Sequence, residues 1–192
     1  MRTHLGKAAG TLAAALLAGL SAAPAADAAD PVPVDPGVSC HGGVVRMSLK
    51  PGLMFGNRQQ TWTGSGLTTG CTSTDPRQSV SAAEISFSGN GKGSCLPALG
   101  IPNAELTGSI RWSVPGRGDA KPVSKVRGTA RLGATGAVFE GVVTDGLYDG
   151  SKVHATADWE LSTNLAEAVV GCFTSGYMDV SGTWDHLVVD VA

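Results

Sequence analysis

The stretch from Glu105 to Leu132 decides the fold, and it reads ELTGSIRWSV, then PGRGDAKP, then VSKVRGTARL. In the first ten residues, apolar side chains such as Leu106, Ile110 and Trp112 alternate with polar ones. Residues 115–122 contain proline, glycine and aspartate, which are typical turn formers. Alternation then resumes from residue 123. A period of two on both sides of a turn predicts an antiparallel hairpin with one buried face.

The same alternation recurs along most of the chain and predicts about eight or nine short strands. Further examples are residues 45–50, 83–88, 137–143 and 153–161. Only Ser162–Val170 looks helical. Pro51-Gly52 is expected to end the first of these strands, and a turn is expected at Gly89-Asn90-Gly91. The pattern predicts an all-β protein, an antiparallel meander β-barrel of about eight strands, with a two-sheet β-sandwich as the alternative.

Many residues on the expected inward face are small, among them Gly108, Gly128, Gly141, Ala155 and Ala157. Small residues facing large ones fill a core, whereas small residues facing one another leave room for a ligand. Protein interiors are normally close-packed, so the filled core is the favoured interpretation.

The N-terminal residues have the three-part layout of a secretory signal peptide. Arg2, His4 and Lys7 precede an uncharged, Ala-rich run, and Ala26-Asp27-Ala28 fits the small-x-small pattern at a cleavage site. We therefore expect a signal peptide over 1–28, an extended Pro-rich leader over 29–38 and a single β domain over 39–192. The mature chain is expected to be secreted and extracellular, with no transmembrane segment.

The four cysteines Cys40, Cys71, Cys95 and Cys172 all lie in the predicted mature part. An even number in an oxidising compartment predicts two disulfides. Three pairings are possible, and we favour Cys40–Cys71 with Cys95–Cys172. Their wide spacing is not that of a zinc site.

Composition and motifs exclude several function classes. The formal net charge is −2 and offers no basic surface for nucleic acid. No Gly-x-Ser-x-Gly elbow is present. No spacing indicates a metal or a cofactor, so none is expected. Asp185 and His186 are adjacent, and neighbours on a regular strand point to opposite faces, so we do not expect them to act together.

Four residues on predicted polar strand faces are the candidate site residues: Arg111, His154, Asp158 and Glu160. His154 lies near Asp158 and Glu160 in the sequence, an arrangement that suits a base or a ligand. A solvent-facing strand position is the commoner explanation for such a histidine, and no catalytic residue is assigned.

The chain resembles small secreted β-proteins of actinobacteria that carry no assigned activity. The resemblance rests on the signal segment and on short pieces spread over the mature chain: Cys40-His41-Gly42, Pro51-Gly52-Leu53, Leu67–Cys71, Gly91–Cys95, Ile110-Arg111-Trp112 and Gly171-Cys172. It implies a disulfide-stabilised β domain and supplies no catalytic residue.

The expected function is that of a secreted, non-enzymatic binding or cell-envelope-associated protein whose partner is an extracellular ligand or protein. One alternative is a secreted hydrolase or isomerase with carboxylates in a barrel mouth, drawn from Glu84, Glu105, Asp158 and Glu160. Another is a protease inhibitor that presents the Pro115–Lys121 loop.

Overall fold

Ten β-strands form the structure, a computed structural model that describes residues 37–74, 78–95, 100–117, 121–133, 135–159, 172–174 and 176–190. The chain divides into two units, Met1–Pro33 and Val34–Ala192, and every described residue belongs to the second. The predicted signal peptide, the Ser162–Val170 segment for which a helix was expected, and Glu160 lie outside the described residues. The strands are β1 (Val38–His41), β2 (Gly43–Leu53), β3 (Arg58–Thr68), β4 (Thr72–Ser73), β5 (Ala82–Gly93), β6 (Ile101–Ser113), β7 (Val123–Leu132), β8 (Gly136–Gly146), β9 (Lys152–Trp159) and β10 (Tyr177–Asp190).

Eight of these strands close into an antiparallel barrel. The order is β2, β3, β5, β6, β7, β8, β9 and β10, and β10 pairs back onto β2, with Gly182 opposite Val45. Strand β1 continues the line of β2 along β10 and also pairs with the short β4. The predicted meander barrel is confirmed, because closure of β10 onto β2 is incompatible with two separate sheets.

The predicted strand end at Pro51-Gly52 and the predicted turn at Gly89-Asn90-Gly91 are both wrong. Strand β2 continues through Pro51-Gly52 to Leu53, and β5 continues through Gly89-Asn90-Gly91 to Gly93. Glycine in β5 serves close packing instead of chain reversal. A Cβ at Gly89 would lie 2.2 Å from the ring of Trp62, so only glycine lets the indole lie against this strand.

Large apolar side chains fill the barrel. Trp62, Phe87, Phe139 and Trp184 form a chain of aromatic contacts, with ring centroids 5.7, 5.5 and 5.5 Å apart in that order. Phe87, Phe139 and Trp184 also line an apolar cavity of about 40 Å³. That volume is far below the ~300 Å³ at which small-molecule pockets begin, so side chains fill the interior. At Gly108, Gly128 and Gly141, an added Cβ would lie 2.8 Å or less from a backbone oxygen of the neighbouring strand, so these inward glycines let the strand backbones approach closely.

Both disulfides have the predicted pairing, Cys40–Cys71 and Cys95–Cys172. The first joins β1 to the segment that leads into β4, and Cys40 is fully buried. The second fixes the end of β5 to the segment before β10. Such cross-links are compatible with an extracellular protein. In the parts of the chain that the structure describes, no helix has the length and apolar character needed to cross a membrane.

Candidate functional site

Hydrogen-bonded side chains pack together near the end of β6 and the start of β7. The indole Nε1 of Trp112 donates to Ser124 Oγ at 2.8 Å, and Ser124 Oγ in turn donates to the carbonyl oxygen of Leu147. The ring of Tyr148 packs edge-on against Trp112, with centroids 5.4 Å apart. Because the interior is filled, the larger hollows among the described residues lie on the outer wall.

A concave hollow of about 730 Å³, here called the serine groove, lies on the outer wall of β10, β2, β3, β5 and β6. Alternate residues of these strands point outward, and half of the outward residues that line the hollow are serine or threonine. Its polar lining comprises Arg46, Ser65, Glu84, Ser86, Ser109, Arg111, Ser181 and Thr183. Exposed Val44 and Leu67 add an apolar strip. A second hollow of about 530 Å³ shares Arg46 with it.

The charges in the serine groove are arranged around one carboxylate. Glu84 contacts both Lys121 Nζ and Arg111, whose Nη1 lies 3.7 Å from the carboxylate. The hydrogen bond and the charge of Lys121, with a smaller contribution from Arg111, hold the pKa of Glu84 below its ordinary value. Arg46 is different, because no carboxylate among the described residues forms an ion pair with it.

A second polar cluster, here called the histidine patch, lies on the outer wall of β1, β9 and β10. It contains His41, His154 and His186, which are all the histidines of the chain except His4. The rings of His154 and His186 stack with centroids 5.4 Å apart. His41 is the register partner of His186 across β1 and β10.

Asp185 and His186 do lie together, which corrects the sequence-based expectation. A β-bulge between Trp184 and His186 inserts Asp185 as an extra residue, so both side chains point outward. His186 Nδ1 lies 2.9 Å from Asp185 Oδ2 and 3.0 Å from Thr156 Oγ1. The hydrogen bonds from His186 and then Thr156 lower the pKa of Asp185.

The sequence contained a signal for this bulge. Trp184 and Leu187 are both buried, yet they are three residues apart, whereas a regular strand buries residues at even spacings. One residue between them must bulge. Adjacent outward residues then follow directly from the need to bury both apolar side chains.

The histidine patch has some features of a catalytic site and lacks others. A carboxylate on Nδ1 orients a histidine so that Nε2 can act as a base. However, the Asp185 side chain is 62% exposed, so nothing excludes water from the pair. Among the described residues, no group of three or more His, Cys, Asp and Glu side chains could hold a metal ion.

The structure separates the candidate residues that the sequence singled out. Arg111 lines the serine groove, and His154 belongs to the histidine patch, where its Nδ1 lies 3.9 Å from Glu140 and not beside Asp158. Asp158 is exposed and lines a third hollow of about 520 Å³ with His186 and Asp185.

Of the four carboxylates proposed for a barrel mouth, the three within the described residues do not converge there, and Glu160 lies outside the described residues. Glu84, Glu105 and Asp158 belong to β5, β6 and β9, and all three point outward. Glu105 accepts a hydrogen bond from Asn90 Nδ2 at 3.2 Å. Arg117 is exposed at the predicted inhibitor loop, of which residues 118–120 lie outside the described residues.

Arg46 and the serines of the groove were not among the residues singled out from the sequence. They are brought together by strand register, because Arg46 is opposite Ser65, Ser65 is opposite Ser86 and Ser86 is opposite Ser109.

Comparison of the chain with known protein families, with curated proteins and with solved structures finds no match.

Proposed function

We propose that the chain is a secreted, non-enzymatic binding or cell-envelope-associated protein whose binding surface is the serine groove. The main support for this proposal is the filled barrel. Because side chains occupy the interior, a ligand would have to bind on the outer wall. The N-terminal signal layout and the two disulfides support work outside the cell. The mature N-terminus is expected near Ala29, and sequencing of the protein from culture medium tests that point.

A matched pair of variants tests binding through the groove. Ser86 and Ser88 are exposed residues on the same face of β5, and only Ser86 lines the groove. Ser86→Trp should block the groove, whereas Ser88→Trp places the same bulk beside it. Purified protein is incubated with polysaccharide, peptidoglycan and secreted-protein fractions of the producing organism. We expect retention by one fraction that Ser86→Trp abolishes and Ser88→Trp preserves. Equal retention of both variants contradicts the proposal.

The Asp185–His186 pair supports a second candidate function, a hydrolase with His186 as the general base. Its test is a panel of chromogenic esters and glycosides with His186→Ala and His154→Ala as paired variants. Turnover that only His186→Ala removes would replace the binding proposal. The open, water-accessible position of the pair favours the binding function.

A further inference from the structure

Arg46 carries a positive charge that the described protein leaves unpaired. It is an exposed residue of β2, and it lines both the serine groove and the neighbouring hollow. Some basic residues of the outer wall have carboxylate partners, such as Lys125 with Asp145 at 2.7 Å. Others, such as Arg127 on β7, form no ion pair with a described residue, but they do not line the groove. A guanidinium offers five N–H donors in a planar fork that matches a carboxylate. Arg46 is therefore an anchor available to an anionic group.

The groove as a whole also has an excess of positive charge. Its lining contains the guanidinium groups of Arg46 and Arg111 and the single carboxylate of Glu84. Glu84 is further neutralised by Lys121. An anionic ligand therefore meets no unpaired carboxylate in the groove, and its charge is complementary to that of Arg46.

The floor between the two arginines is made of hydroxyl groups. Ser86 and Ser109 share one hydrogen bond at 2.9 Å, so one of their two hydroxyl hydrogens stays available to a ligand. Three strand-to-strand steps separate β2 from β6, a span of about 14 Å at the usual spacing. Hydroxyls that donate and accept suit sugar hydroxyls, and exposed Val44 and Leu67 suit the apolar face of a sugar ring.

A peptide is a poorer match for this surface. Extended peptides bind sheets mainly by adding a strand to an open edge. Here β10 closes onto β2, and the backbone groups beneath the groove are paired within the barrel. The groove has no open strand edge with free backbone groups, so its ligand must be recognised through side-chain contacts alone.

We infer that the serine groove binds an acidic polysaccharide, with Arg46 pairing with a carboxylate of the sugar chain. This inference rests on the proposed function and names its ligand class. Sugar hydroxyls contact the serine floor, and the aliphatic strip of Val44 and Leu67 lies beneath the ring faces.

The test is calorimetric titration with an alginate hexasaccharide as the polyuronate. Arg46→Gln is compared with Arg127→Gln, because Arg127 is an exposed outer-wall arginine on β7 away from the groove. Loss of a charged hydrogen bond should weaken binding about tenfold for Arg46→Gln and leave Arg127→Gln unchanged. Binding should also fall in about 1 M salt, where the Debye length is about 3 Å. Circular dichroism confirms that both variants are folded.

Three results would overturn the inference. They are no binding of the hexasaccharide, equal loss in both arginine variants, and equally tight binding of maltohexaose or hexaglutamate. The first shows that polyuronates are not ligands, and the second shows that Arg46 has no special role. The third replaces the acidic polysaccharide by a neutral sugar or an acidic peptide. The proposed function is tested separately. If an extracellular fraction retains the protein and Ser86→Trp abolishes that retention, the groove is still a binding surface, and only the choice of an acidic polysaccharide as its ligand is wrong.

Discussion

Buried and exposed side chains alternate along β9, so substitutions on its two faces should change the free energy of unfolding by very different amounts. Trp159 is 8% exposed, and its Nε1 donates to the carbonyl oxygen of Gly133 at 3.1 Å. His154 lies on the opposite face, with its side chain 41% exposed. The same strand therefore carries one residue that holds the core and one that faces solvent.

Trp159→Ala should lower the free energy of unfolding by about 3–5 kcal/mol, because it removes a buried aromatic ring. His154→Ala should change it by no more than about 0.5 kcal/mol, as is usual at exposed positions. Urea denaturation of the two variants measures both values. A large loss for His154→Ala would contradict the placement of this residue on the outer wall.

Asp185 links the histidine patch to the pH dependence of stability. Its pKa is lowered from the ordinary 3.8, mainly by the hydrogen bond from His186 and then by that from Thr156. A carboxyl whose pKa is lower in the folded state stabilises the fold above its unfolded pKa. That contribution is lost as the pH falls through the lowered folded value.

Thr156→Val should therefore raise the pKa of Asp185 part of the way back towards 3.8, because it removes the second hydrogen bond. Titration of the Asp185 carboxyl carbon by NMR in both proteins measures the change. Loss of the His186 ring in His186→Ala should raise the pKa further. A pKa that stays the same in both variants would show that the bulge does not bring these groups together.

Glycine at two positions of β3 determines how the aromatic cluster fits the barrel wall. A Cβ at Gly64 would lie 2.2 Å from the ring of Phe87, and a Cβ at Gly66 would lie 2.3 Å from Trp184 Nε1. Both rings therefore lie directly on the backbone of this strand. The packing of these rings in the core therefore requires glycine at both positions of β3.

Gly64→Ala should destabilise the protein by about 1–3 kcal/mol, the usual cost of overpacking. Gly56→Ala is the matched control, because nothing lies within 4 Å of a Cβ there. It should be neutral or stabilise by up to about 1 kcal/mol through the unfolded state. Thermal unfolding of the two variants compares them directly. Equal stability of both would show that the Phe87 ring does not pack against β3.

Sequence reasoning succeeded where the period of two operates without interruption. Strands β7 and β9, and β6 from Ala104 onward, follow the alternation, and a meander of hairpins leads naturally to a closed barrel. The start of β6 departs from the alternation, because the register shifts between Ile101 and Ala104. The sequence-based prediction was wrong where one residue type, glycine, can either form a turn or make room for a side chain within a strand. Gly89 and Gly91 were interpreted as turn formers, but in β5 they make room for Trp62 and Ile101.

The candidate site was harder to predict because it depends on pairing between distant strands. Arg46 and Arg111 are far apart in sequence and reach one groove only because β2, β3, β5 and β6 are consecutive neighbours in the barrel. Asp185 and His186 required a bulge. In both cases the local sequence fixes which residues point outward, while tertiary pairing decides which of them meet.

At the scale of the whole molecule, the two disulfides close long segments of the chain. The sequence separations are 31 residues for Cys40–Cys71 and 77 for Cys95–Cys172. Loop closure in the unfolded state depends only weakly on length at these separations. The chain-entropy model then gives each cross-link a contribution of about 4 kcal/mol.

Replacement of Cys40 and Cys71 together by alanine should lower the free energy of unfolding by about 3–4 kcal/mol. The equivalent change at Cys95 and Cys172 should cost a similar or slightly larger amount. Guanidinium denaturation of both double variants measures the two losses. A double variant as stable as the parent protein would contradict the contribution assigned to its cross-link.

The central claim is that a filled barrel binds its ligand on the outer wall. Amide and indole NMR shifts during titration with the alginate hexasaccharide test it most directly. We expect shifts clustered at Arg46, Ser65, Ser86 and Ser109, with the indole signals of Trp62 and Trp112 unmoved. Shifts of those interior indoles without a cluster at the groove would contradict binding on the outer wall. No shifts at all would contradict the choice of an acidic polysaccharide as the ligand.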